Sequence, residues 1–153
     1  MSQDFTTTFA VEAAPSAVFA AINDVRSWWG EGVEGRTDAL DEEFTFRVEG
    51  VHDSRLRIVE LVPDEKIAWR VISNWLGYVE DQHEWVGTTI RFELRADGAQ
   101  TEVRFTHVGL VADAECYDVC SNAWSSLMHA SLPDRIRTGA GHPYPRRLPA
   151  DAA

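Results

Sequence analysis

His107 is the polar side chain best placed to do chemistry in this chain. In the run Thr101, Val103, Phe105, His107 it shares parity with apolar residues, and residues two apart on a strand face the same way. Its imidazole is therefore expected to point inward. There a histidine can orient a ligand hydroxyl or move a proton near neutral pH; a buried histidine can equally be paired to a neighbour and serve only structure. Glu60 shares the parity of Leu56 and Ile58, which makes it the weak candidate for a carboxylate orienting that base. The acidic run Asp41, Glu42, Glu43 reads as a solvated loop. His52, His83, His129 and His142 show no ligand spacing, so neither a metal nor any other cofactor is expected. Cys116 and Cys120 lie one helical turn apart, the spacing of neither a redox CxxC nor a zinc knuckle. Two reduced core thiols are expected.

The rest of the candidate chemistry is apolar, and its placement depends on the elements. The stretch 113–139 puts Cys116, Cys120, Ala123, Trp124, Leu127, Met128 and Ser131 on one helical stripe. Asp113 is the expected N-cap, Glu115 complements the first turn, and Arg135, Arg137 and Gly139 close the helix. Pro133 cannot continue a helix from within, so a kink or a short break near Ser131–Leu132 is expected, with Pro133 restarting the helix as its first residue.

Before that helix the sequence is mostly strand. Alternation runs through 5–12, 43–48, 54–62, 67–72, 88–94 and 101–107. In 54–62 the apolar parity switches, which requires a bulge or two covered faces. Pro15 opens an early helix with a second short turn before Trp28-Trp29. Of those two tryptophans one is expected in the core and the other near an opening. The stretch 73–86 is read as a long aromatic and acidic loop carrying Trp75, Tyr78 and Trp85. One sheet with one apolar face must be covered, and only the long helix is large enough to cover it. The fold class is therefore α+β: a curved antiparallel sheet of six to seven strands gripping a C-terminal helix, with one or two short helices after the first strand.

The 153 residues fit a single domain over 1–142, with 143–153 a loose tail. Fourteen basic against 25 acidic residues give a net charge of −11, and the single lysine is Lys66. With no basic patch, nucleic acid and anionic membrane surfaces are poor partners. No apolar run reaches the length of a membrane span, and the polar start 1–4 is no signal sequence, so a cytoplasmic protein is expected.

Several local patterns resemble the START-like, helix-grip superfamily (SRPBCC), and within it the stand-alone members related to the heat-shock chaperone ATPase activator. They are Ala14-Pro15-Ser16-Ala17-Val18, Trp28-Trp29, Pro63-Asp64-Glu65-Lys66-Ile67-Ala68-Trp69, and the run from Thr101 through His107 to Leu110, followed by Trp124 and Ser131-Leu132. The resemblance covers nearly the whole chain to about Gly141; Pro133 and the loop 74–85 depart from it. It implies the helix-grip fold and a cavity between sheet and helix that commonly holds an apolar or aromatic molecule. Its members include carriers, cyclases, hydrolases and chaperone partners, so it leaves activity open.

The inward set is expected to be Phe44, Phe46, Trp69, Val71, Ile90, Phe92, Val103, Phe105, Trp124, Leu127 and Met128, with Cys120 from the helix and His107. Trp28, Trp29, Trp75 and Tyr78 are added as further cavity candidates. These side chains either fill the interior as plain core or wall a ligand pocket with few polar handles. The reading adopted is non-enzymatic binding of a small apolar, aromatic or lipid-like molecule. The alternatives are a cyclase- or hydrolase-like enzyme using His107 with a carboxylate, and a module docking on a chaperone. A homodimer contact through Trp28 or Trp29 is a further alternative.

Overall fold

The alternating segments pair into one antiparallel sheet. The computed structural model describes residues 3–147. In chain order the elements are β1 (Phe5–Val11), α1 (Pro15–Asn23), a 3-10 turn (Val25–Ser27), β2 (Val33–Gly35), β3 (Glu43–Val48), β4 (His52–Val62), β5 (Lys66–Leu76), β6 (Thr89–Asp97) and β7 (Gln100–Val108). The C-terminal helix follows as α2 (Tyr117–Ser126), a π-turn (Leu127–Ser131) and α3 (Leu132–Thr138). The sheet order is β1-β7-β6-β5-β4-β3-β2, so each strand from β2 to β7 lies beside its chain neighbour and β1 closes against β7. This is the helix-grip architecture. Among the described residues no helix is long and apolar enough to cross a membrane.

The register explains which side chains meet the helix. Ile58 lies opposite Trp69, Trp69 opposite Ile90, Ile90 opposite His107 and His107 opposite Phe5. These five form one rung on the inner face, because directly paired residues share a face. The parity switch expected in β4 is a pair of bulges: Val59 has no partner in β5, and Ile72 has none in β4. A bulge inserts one residue and reverses the faces beyond it. In β5 the inward residues are therefore Ile67, Trp69 and Val71 before the bulge, then Asn74 and Leu76 after it.

Three expectations are corrected here. Strand β5 runs on to Leu76, so Trp75 belongs to a strand and not to the loop, and the reversed parity turns it to the outer face, where it is 36% exposed. Helix α2 begins at Tyr117, with Cys116 and not Asp113 at its N-cap. Asp113 and Glu115 both precede the helix. The tail is anchored as far as it is described: Tyr144 N–H donates to the Trp29 carbonyl (2.9 Å), and Glu49 N–H donates to the Arg146 carbonyl (2.9 Å). The remainder, 148–153, lies outside the described residues.

The helix is not interrupted at Pro133 but widens into the π-turn just before it. Leu132 N–H donates to the Leu127 carbonyl, a wider π-type bond, and Pro133 sits in the first turn of α3, where no N–H is needed. Gly139 ends α3 in the left-handed region at φ 89°, a conformation that suits glycine. The π-turn places Leu127, Met128 and Ser131 against the sheet, and Ser131 Oγ donates to the Trp28 carbonyl at 2.7 Å. The stripe expected from Cys116 to Ser131 is buried except for Ala123, which is half-buried.

Candidate functional site

The inner face divides into a solid part and a hollow part. In the solid part Trp28, Trp69, Phe92 and Phe105 are fully buried; Trp28 stacks on Trp69, and Phe92 meets its neighbours edge to face, with ring centroids 5.1 Å apart for Trp69–Phe92 and 5.2 Å for Phe92–Phe105. Phe44, Val71, Ile90, Val103 and Met128 complete it. Of the expected cavity residues, these nine and His107 are plain core.

His107 shows why. Thr88 Oγ1 donates its hydrogen to the Trp85 carbonyl (2.6 Å) and so accepts from His107 Nε2 (2.8 Å). Trp124 Nε1–H donates to His107 Nδ1 at 3.1 Å. Both ring nitrogens are used, and burial together with nearby His52 lowers the imidazole pKa to about 3, so the ring is neutral. Glu60 is not brought to it. The Val59 bulge turns Glu60 outward to an ion pair with Lys66 (3.6 Å), and two strands separate β4 from β7. The base-and-carboxylate pair considered for an enzyme is therefore not assembled.

The hollow part is a cavity of about 200 Å³. Its walls come from Trp29; from Phe46, Val48, Val51 and His52 around the β3–β4 turn; from Tyr78 and Trp85 in the loop 77–88; from Val119, Cys120, Ala123, Trp124 and Leu127 on the helix; and from Tyr144. Of the expected site residues, Trp29, Phe46, Tyr78, Cys120, Trp124 and Leu127 are brought together here. Trp28 lies in the core and Trp29 on the cavity, in line with the expectation of one core ring and one near an opening, but both are buried and the two rings stack at 6.3 Å.

Local bonding fixes each wall. Trp29 lies on Phe46 at 4.3 Å with planes 12° apart. Gly30 is required beside that stack, because a Cβ there would strike the Phe46 ring. The loop 77–88 is held from both sides. Buried Asn74 accepts at Oδ1 from Trp85 N–H (3.2 Å), and Gly77 N–H donates to the Val51 carbonyl (2.9 Å). On the helix side Glu84 accepts from the backbone N–H groups of Glu115 (2.7 Å) and Cys116 (2.9 Å), while Glu115 accepts from those of Glu80 (3.0 Å) and Asp81 (2.8 Å). Glu84 thus supplies from the loop the cap that Asp113 was expected to give. The two backbone bonds to Glu115 hold its carboxyl below the ordinary range.

The polar groups in the wall are few. His52 Nε2 meets Ser54 Oγ at 2.6 Å, and burial lowers its pKa to about 3. Tyr78 Oη meets Cys120 Sγ at 3.3 Å, and burial followed by that contact raises the phenol's pKa. The bond to Cys120 and then burial push the Cys116 thiol up, whereas the bond from Cys116 holds Cys120 down. Both cysteines are free. Trp69 Nε1 is buried with no hydrogen-bond partner among the described residues. Among the described residues no group of three or more His, Cys, Asp and Glu could hold a metal.

Sequence reasoning missed Val48, Val51, His52, Val119, Ala123 and Tyr144 as wall residues. His52 had a signal: the parity His52, Ser54, Leu56, Ile58 extends β4 by two residues and points the imidazole inward.

A curved seven-stranded antiparallel sheet closed by a C-terminal helix defines the helix-grip class of SRPBCC proteins. Residues 12–136 match the family model described as "Activator of Hsp90 ATPase homolog 1-like protein". The chain belongs to that family. Among solved structures it is similar to the Aha1 dimer of Colwellia psychrerythraea, at 23% identity and a TM-score of 0.73, covering 91% of this chain and 99% of that one. It is also similar to CalU16 of Micromonospora echinospora (12% identity, TM-score 0.65, covering 92% of this chain and 78% of that one). A third similar structure is DynU16, a putative protein in the dynemicin biosynthetic locus (13% identity, TM-score 0.70, 90% of this chain), of whose length this chain spans 48%. At such identities the likeness carries the fold. Among curated proteins no match was found.

Proposed function

We propose that this protein binds a small, apolar, aromatic molecule in the cavity between the β3–β4 turn, the loop 77–88 and α2, without transforming it. The observation that carries the proposal is the wall itself: about 200 Å³ lined by aromatic and aliphatic side chains, His52, Tyr78, Cys120 and Tyr144 being the few polar ones. Apolar cavities of roughly 150 Å³ stay dry and take up benzene, so this volume suits one or two fused rings. A bound ring gains dispersion contacts on faces that the protein leaves without partners.

Native mass spectrometry and calorimetry with naphthalene test this directly. The wild type is expected to bind one equivalent, and Ala123→Phe, which fills the cavity from the helix side, is expected to lose at least tenfold in affinity while keeping its circular dichroism. Absence of binding by the wild type, or undiminished binding by Ala123→Phe, overturns the proposal.

Two observations favour a second reading. The family description refers to activation of a chaperone ATPase, and the Colwellia protein was solved as a dimer. Docking on a chaperone, or on a second copy of this chain, would show in sedimentation of the protein alone and with the chaperone, independently of naphthalene.

A further inference from the structure

The hydrogens around His52 can be assigned one by one. Asn74 Oδ1 accepts from the Trp85 backbone N–H (3.2 Å), which fixes the amide so that Nδ2 faces Ser54 Oγ at 2.9 Å and donates to it. Ser54 is fully buried, so its own hydroxyl hydrogen cannot reach water. The remaining partner of Ser54 Oγ is His52 Nε2 at 2.6 Å, and the hydroxyl must donate there, because a buried donor left unmade is costly. Nε2 is then an acceptor with no hydrogen of its own. Burial keeps the ring neutral, so its one hydrogen sits on Nδ1. Among the described residues nothing accepts from Nδ1. His52 is 7% exposed and lines the cavity.

The protein thus holds a donor at a fixed place in an apolar wall, backed by a chain of two further donors. No lysine or arginine lines the cavity, so an anion would be taken out of water without a counter-charge. A neutral molecule with one acceptor oxygen meets both conditions.

We propose that His52 Nδ1–H donates to a carbonyl oxygen of the bound molecule, so that the ligand class is neutral aromatic ketones and aldehydes of one or two rings. This rests on the cavity binding proposed above and adds to it the ligand's chemical class and the residue that orients it.

Three probes of nearly equal shape separate the possibilities: 2-acetylnaphthalene, 2-isopropenylnaphthalene (a CH₂ group in place of the oxygen) and 2-naphthoate. A neutral hydrogen bond contributes about 0.5–1.5 kcal/mol. The ketone-to-alkene affinity ratio is therefore expected to fall roughly 2- to 13-fold from wild type to His52→Phe, which keeps a ring and removes the donor. Naphthoate is expected to bind more weakly than the ketone. An unchanged ratio, with the alkene still bound, overturns the role of His52 and leaves cavity binding standing; failure of all three probes on the wild type overturns both. Naphthoate binding tighter than the ketone overturns the neutral class. The assignment can also be checked without any variant, from histidine ¹⁵N shifts of the wild type. Nδ1 is expected to be protonated, and a hydrogen found on Nε2 overturns the proposal.

Discussion

Two histidines face the inside of this sheet, and they differ in what surrounds them. His107, in the solid part, has a partner at each nitrogen: Thr88 at 2.8 Å and Trp124 at 3.1 Å. His52, at the edge of the hollow part, has among the described residues a hydrogen bond to Ser54 alone, at 2.6 Å. The same residue type is a finished structural bond in one place and a spare donor in the other. What separates them is whether the helix reaches the ring, since Trp85 of the loop stands 4.7 Å from both imidazoles. At His107 Trp124 from α2 bonds the imidazole, whereas His52 packs edge-on against Phe46 (4.9 Å) and Trp85 (4.7 Å), has no bond to the helix among the described residues, and borders the cavity of about 200 Å³. Parity on a strand tells which residues point inward, and the neighbours' reach decides which of those remain available.

The largest expected effect probes the packing difference. Leu56 is fully buried in the solid part, and Leu127 lines the cavity. Large-to-small core substitutions cost about 2–5 kcal/mol, more where a new void opens among close neighbours. Leu56→Ala is expected near the top of that range, about 4 kcal/mol, and Leu127→Ala near the bottom, about 2 kcal/mol. Equal losses in urea unfolding would mean that the two parts are packed alike.

Acid sharpens the comparison next. Each histidine has a native pKa lowered to about 3 against about 6.5 unfolded. Below pH 6.5 the unfolded chain takes up protons that the native state refuses. Stability is therefore complete above about pH 6.5 and falls toward pH 3, by up to about 1.4 kcal/mol per pH unit for each histidine. His52→Phe is expected to remove half of the histidine share of that slope between pH 6 and 5. If it removes none, cavity water already lets His52 charge, and the two rings differ in solvation as well as in bonding.

The smallest effect concerns the loop. Glu84→Ala removes the cap on α2 and is expected to cost about 1 kcal/mol. Amide exchange should rise in 77–88 while β1 and β7 keep their protection.

The two parts also differ in how far they can be read from the sequence. Alternation placed Phe44, Phe46, Trp69, Phe92 and Phe105 on the inner face, helical spacing gave the stripe from Cys120 to Met128, and Pro133 marked the irregular turn. These are local signals with a fixed period. The hollow part depends on features without one. A bulge at Ile72 reverses the faces beyond it and sends Trp75 outward. The start of α2 is set by Glu84, far back in the chain, and the tail docks through backbone groups that any sequence carries. Tyr144 reaches the cavity only because of that docking.

The indole rings have a consequence in light. Trp28, Trp69, Trp29, Trp124 and Trp85 form a continuous series, with successive ring centroids 6.4, 5.8, 5.1 and 5.9 Å apart. At such separations the five are expected to share excitation as one chromophore, three of whose members, Trp29, Trp124 and Trp85, border the cavity. Trp75 lies on the outer face, 36% exposed, and is expected to emit at longer wavelength than the buried five. The protein therefore carries its own two-channel optical reporter: a blue emission that any change at the cavity perturbs as a unit, and a red one that serves as its internal reference.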